Sequence, residues 1–145
     1  MKKIIKQLEC FGYKVNKEND YFIAERDHTD SFIITKSITI NFAFGYSTNN
    51  NGFTNHNGFL KYINDLNVSS LITTFMSKEK GRLEFSAHYT GLYDIKTFSE
   101  FIRAWEYDID LLHNNKDTDL FFQSDNELDT SIESYNENSN FKAEA

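Results

Sequence analysis

The 145-residue chain holds 39% hydrophobic and 16% aromatic residues, 14 of them phenylalanine. That is enough apolar surface for one domain with its own core, and it excludes a wholly disordered chain. The net charge of −7 is concentrated in residues 114–145, where eight acids face two lysines; residues 1–113 therefore sum to −1 and offer no basic stripe for a nucleic-acid backbone.

In chain order, the opening MKKIIKQLEC has the lysines of a signal peptide, but Lys6, Gln7 and Glu9 interrupt its apolar stretch. Ile4, Ile5, Leu8 and Phe11 recur instead at helical spacing, with Gly12 placed to follow the helix end. Cys10 lies on or beside that stripe, which predicts a buried, inert thiol. A lone cysteine excludes an internal disulfide, and with no apolar run near the roughly 18 residues of a membrane span the expected setting is the cytoplasm. NKEND reads as a polar turn, and YFIAERD and SFIITKS as short strands. ITINFAFGYS is the clearest strand: Ile38, Ile40, Phe42, Phe44 and Tyr46 share one face, and Thr39, Asn41, Ala43 and Gly45 the other. TNNNG reads as a loop, and Phe59, Leu60, Ile63 and Leu66 mark a second helix. SLITTFMS and RLEFSAHY form a hairpin turned at KEKG, where Gly81 can take positive φ. Thr97 and Glu100 have capping-box spacing, and Phe98, Ile102, Trp105, Ile109 and Leu112 form the stripe of a last helix. The order helix, three strands, helix, two strands, helix predicts an α+β domain with an antiparallel sheet over residues 1–113, then an acidic tail over 114–145.

Three stretches invite a chemical reading. In GRLEFSAHYTG, Glu84, Ser86 and His88 alternate with Leu83, Phe85, Ala87 and Tyr89. Successive same-face side chains of one strand stand about 7 Å apart and parallel, so they cannot pass a proton as a triad does. The expected role is the wet face of a strand. FGYSTNNNGF lacks the lysine and glycine spacing of a phosphate loop, although Tyr46 and Phe53 beside it suggest a small-molecule groove. His28, His56, His88 and His113 are scattered without metal-ligand spacing. The expectation is a protein without catalytic, cofactor or metal residues. The tail differs from a plain solvated run. It interleaves acids with Leu120, Phe121, Phe122, Leu128, Ile132 and Tyr135, and the last three recur at helical spacing. These six are the candidate partner-binding residues, with fold-back onto the core as the competing reading.

FLKYINDLNVSSLITTFMSKEKGRLEFSAHYTGLYDIKTFSEFIRAWEYDIDLL resembles the YbjN-like family of small bacterial proteins, through Asn64 and Asn67, Phe98, Phe101, Trp105 and the final DIDLL. ECFGYKVNKENDYFIAE is similar to that family's opening helix, Gly-Tyr and strand. The element order is also similar to that of class I type III secretion chaperones. The resemblance spans about residues 1–113 and brings no catalytic residues. It implies a protein-binding or regulatory role, holding a protein client or partner, often as a homodimer. An immunity or inhibitor protein that meets a basic toxin through the acidic tail is the alternative, with a small-molecule sensor behind it.

Overall fold

Alternation of period two decides which side of each strand is buried, and the helical stripes supply what covers it. The computed structural model describes residues 1–123. Their elements are α1 (Lys2–Cys10), β1 (Lys14–Lys17), β2 (Phe22–Glu25), β3 (Phe32–Lys36), β4 (Ile40–Ser47), α2 (Asn50–Thr54), α3 (His56–Ser69), β5 (Thr74–Glu79), β6 (Arg82–Tyr89), α4 (Ile95–Asn114) and α5 (Thr118–Phe122). The six strands form one antiparallel sheet in the order β1-β2-β3-β4-β6-β5. This is the expected α+β architecture, with one more strand ahead of the middle helix. KVNK has a single apolar residue and no readable alternation, so it becomes β1 only because β2 offers a ladder, with Val15 opposite Ala24.

The buried faces of α1, α3 and α4 meet one side of the sheet in a single core. Trp105 of α4 sits at its centre, with ring centroids 5.5, 5.6 and 5.7 Å from Phe32, Phe42 and Phe85. Each aromatic of this kind contributes roughly 1.5–3 kcal/mol through burial.

Several local readings are corrected. Ile38 is fully exposed in the turn before β4, so the apolar face of that strand starts at Ile40. Leu60 is half-exposed, and α3 instead buries Phe59, Tyr62, Ile63 and Leu66. TNNNG does not remain a loop: its Asn49 caps α2 by accepting from Gly52 N, and Asn55, three residues beyond it, caps α3 by accepting from Gly58 N. Helix α4 starts one turn before the expected capping box, because the Asp94 carboxylate accepts from Thr97 N at 2.8 Å and from its hydroxyl at 2.9 Å. Cys10 is exposed rather than buried, since α1 turns Ile4, Gln7 and Leu8 inward and leaves its last residue outside. Gly12 and Gly81 take φ of +87° and +74°, which helix termination and the β5–β6 turn require.

Candidate functional site

With the helices on one side, every second strand residue looks out from the other. Asn16, Ile23, Ile33, Ala43, Ser86 and Thr74 stand side by side in a row across all six strands. Next to it Gly45, Glu84 and Met76 form a second row across β4, β6 and β5. Small residues at Ala43, Gly45 and Ser86 lower the middle of this face into a shallow trough of about 190 Å³, flanked by Ile33 and Met76. A side chain at Gly45 would crowd the trough: its Cβ would lie 2.7 Å from a guanidinium nitrogen of Arg82, which would have to move aside. Arg82 Nε in turn reaches Glu84 Oε1 at 3.2 Å, and Lys78 Nζ lies 3.6 Å from Glu84 Oε2, so an ion cluster rims one end of the trough.

Glu84, Ser86 and His88 all lie on this uncovered face, and Glu84 and His88 are held by different neighbours. Glu84 engages Arg82 and Lys78, while the Nδ1 of His88 is bonded to the side-chain oxygen of Asn41. Tyr46 and Phe53 do not line a common groove. Tyr46 is fully buried, and the half-exposed Phe53 ring covers Gly81.

A second concave feature lies where the β2–β3 turn meets the C-terminal half of α4. This open cleft of about 520 Å³ is lined by Tyr13, Arg26, His28, Asp30, Glu106 and His113, among others. Arg26 is fully committed within it. Its Nη1 lies 2.8 Å from Glu106 Oε1 and donates to Phe11 O at 3.0 Å, with the guanidinium 4.4 Å from the Tyr13 ring centre. Tyr13 donates its hydroxyl to the same Glu106 oxygen at 2.8 Å, and burial together with that acceptor pushes its phenol up. His113 is bonded to Asp30, a contact that raises the imidazole's pKa against the opposing effect of burial. Burial and the nearby Asp30 charge also raise the Tyr46 phenol. His28, at the cleft mouth, adopts φ +61°, a left-handed turn conformation tolerated by few non-glycine residues. Among the described residues, no cluster of three His, Cys, Asp or Glu side chains is placed to hold a metal ion.

Sequence reasoning missed the most deeply built polar groups. Asp108 is fully buried and accepts from the backbone N–H of Leu71, Ile72 and Thr73 at 2.8, 3.0 and 2.9 Å. The available signal was its place three residues after Trp105 and four before Leu112, inside the apolar stripe of α4. Asn67 acts similarly, exchanging two 2.8 Å hydrogen bonds with the backbone of Phe75.

The six candidate partner-binding residues divide. Phe121 and Phe122 are core residues: Phe121 lies 5.3 and 5.2 Å from the rings of Phe59 and Tyr62, and Phe122 lies 5.9 Å from that of Tyr46. Leu120, between Asp119 and Phe121, is half-exposed. Leu128, Ile132 and Tyr135 lie outside the described residues. The stretch from Asn114 to Gln123 is thus packed onto the body, and Asn49 Nδ2 holds its end through Leu120 O at 3.0 Å and Gln123 O at 2.9 Å.

No family model and no curated protein matches the chain. Among solved structures it is similar to YbjN from E. coli, a proposed transcription regulator, with a TM-score of 0.59 and 14% identity over 76% of this chain and 85% of YbjN. The fold is YbjN-like. The resemblance thus pointed to the right architecture, and Asn67 and Trp105 hold structural positions in it. At that identity YbjN shows the fold and not the activity. Among the described residues no helix is long and apolar enough to cross a membrane.

Proposed function

We propose that this is a non-enzymatic, cytoplasmic binding or regulatory protein that holds a protein partner against the uncovered face of its sheet. The observation that carries this reading is the trough floored by Ala43, Gly45 and Ser86, walled by Ile33 and Met76, and rimmed by Arg82 and Glu84. An apolar floor with a charged rim has the anatomy of a protein-binding patch, where the floor supplies affinity and the rim sets orientation. Such a shallow face suits side chains of a protein surface better than a small molecule, which needs a deeper cavity. The YbjN likeness supports a regulatory role, since that protein is itself a proposed regulator.

The test is affinity capture from the native cell with the full chain, beside an Ile33→Asp, Met76→Asp variant. A stoichiometric protein caught by the wild type and lost from the folded variant is the expected result. Equal capture by both would move binding off this face. A turnover activity abolished by Ser86→Ala or His88→Ala, with the fold intact, would overturn the non-enzymatic reading.

A further inference from the structure

The sheet also carries bare apolar side chains at one of its ends. Ile38, Leu92 and Ile95 are three of the four most exposed large apolar side chains among the described residues, at 101%, 94% and 68%. Ile38 sits in the turn between β3 and β4, and Leu92 in the loop between β6 and α4. The pairings of Lys36 with Ile40 and of Ile40 with Tyr89 put that turn and that loop at the same end of the sheet, on strands about 5 Å apart. Ile95 opens α4 directly after the loop. The loop itself is anchored. The Tyr89 hydroxyl donates to Leu92 O at 3.1 Å and accepts from Asp94 N at 3.3 Å, and the Tyr89 ring is buried against Phe98 and Phe101. Leu92 is therefore held outward by a fixed backbone.

The same end is basic within an acidic chain. Helix α1 runs alongside α4 in the same direction, since Gln7 donates to Ile95 O at 2.7 Å while Tyr13, just past α1, bonds Glu106 farther along α4. Lys2, Lys3 and Lys6 precede Gln7, so they lie beside or beyond the start of α4, and all three are exposed. Lys36 ends β3 two residues before Ile38, Lys96 follows Ile95, and Lys17 ends β1 at this end of the sheet. These six lysines meet four acids: Glu18 and Asp20 in the β1–β2 turn, Asp94, which caps α4, and Glu100. The end therefore carries a net of +2, where the whole chain carries −7.

We propose that this end is a membrane-docking tip, which lays Ile38, Leu92 and Ile95 into the interface of an anionic lipid bilayer and sets its lysines among the headgroups. The shape selects this occupant. Side chains that project with most of their surface bare enter a fluid medium that closes around them, whereas a folded partner must bring a matching hollow. The charge selects the kind of lipid. Lysines around apolar tips are drawn to anionic headgroups over about a Debye length, and their long stems let the ammonium groups stay at the phosphates while the tips go deeper. Three short side chains or a few lysines alone hold a surface weakly, and the two signals together reinforce one another. Docking by an end of the sheet leaves its open face free, so a partner held in the trough is brought to the membrane surface.

The test is flotation of the full chain with vesicles of three parts phosphatidylcholine to one part phosphatidylglycerol, beside vesicles of phosphatidylcholine alone. The chain should partition to the anionic vesicles about tenfold more strongly than to the neutral ones, and less so as salt rises. The Ile38→Asp, Leu92→Asp variant and the Lys36→Glu, Lys96→Glu variant should each lose about tenfold or more. All four side chains are exposed, so both variants should keep the denaturation midpoint of the wild type. A Leu92→Trp variant reports insertion directly: its emission should shift to the blue on anionic vesicles, beyond any change in the wild type, whose Trp105 is buried. A wild type that stays off anionic vesicles overturns the proposal. Flotation that survives Ile38→Asp, Leu92→Asp, or a Leu92→Trp emission that does not move, would show charge adhesion without insertion and overturn it as well. The Ile33→Asp, Met76→Asp variant of the open face should float like the wild type; its loss instead would move the lipid contact to that face. A soluble protein bound through Ile38 and Leu92 by a chain that ignores vesicles would make this end a protein interface, and would also overturn the proposal.

Discussion

The β5 flank and the β1 flank join the same sheet to the same helix α4 by different chemistry. At β5 the joint is a buried carboxylate, Asp108, accepting from three successive backbone N–H groups, with Asn67 clamping Phe75 beside it. At the opposite flank it is a set of partly exposed charged side chains reaching from the β2–β3 turn to α4, Arg26 with Glu106 at 2.8 Å and His113 with Asp30. The side chains of Arg26 and Glu106 remain 29% and 27% exposed, whereas Asp108 has no exposed surface. Water competes for the first pair in both the folded and the unfolded chain. It competes for the Asp108 contacts only after unfolding. The difference shows that a polar contact holds a fold together in proportion to what its loss leaves unsatisfied, not to the charge it carries.

The largest expected effect is therefore at Asp108. Asp108→Ala leaves three backbone donors without their acceptor and should cost about 2–4 kcal/mol in chemical denaturation. A cost under about 1 kcal/mol would mean that the Leu71–Thr73 turn finds water easily, and the contrast between the flanks would fail. Asn67→Ala should cost about 1–2 kcal/mol and open the β5 edge, seen as faster exchange of the Phe75 amide and as light scattering that rises with concentration. Glu106→Gln should cost no more than about 1 kcal/mol, because Arg26 keeps the Phe11 carbonyl and the Tyr13 ring.

The smallest effect depends on pH. The hydrogen bond to Asp30 raises the pKa of His113 in the folded protein above its unfolded value of about 6.5, so the pair favours the fold when the imidazole is charged. Its contribution is complete below that unfolded value and disappears as pH rises through the folded one. Comparing wild type with His113→Asn across pH 5 to 8 should show a stability gap at the acid end that closes toward the alkaline end. A gap of constant size would show that the pair is not charged in the fold.

Much of the architecture was legible because it is written in local periodicity. The period of two in INFAFGYS and RLEFSAHY determined which face of β4 and β6 is buried, and with it that Glu84, Ser86 and His88 look outward. The stripe through Phe98, Ile102, Trp105 and Leu112 determined the inward face of α4, and the positions of Gly12 and Gly81 were readable from turn chemistry. Tertiary structure decided the rest. KVNK is a strand because β2 lies beside it, and Phe121 and Phe122 are core because Phe59, Tyr62 and Tyr46 wait for them. Asp108 is an anchor because a turn more than thirty residues earlier delivers three N–H groups to it. The shallow trough exists because Ala43 and Gly45 of β4 meet Ser86 and Glu84 of β6 in register. Periodicity records which side of an element turns inward, since that depends on neighbours a few residues away. The partner of a polar group, or the covering of an edge, depends on segments far along the chain and is settled only when they meet.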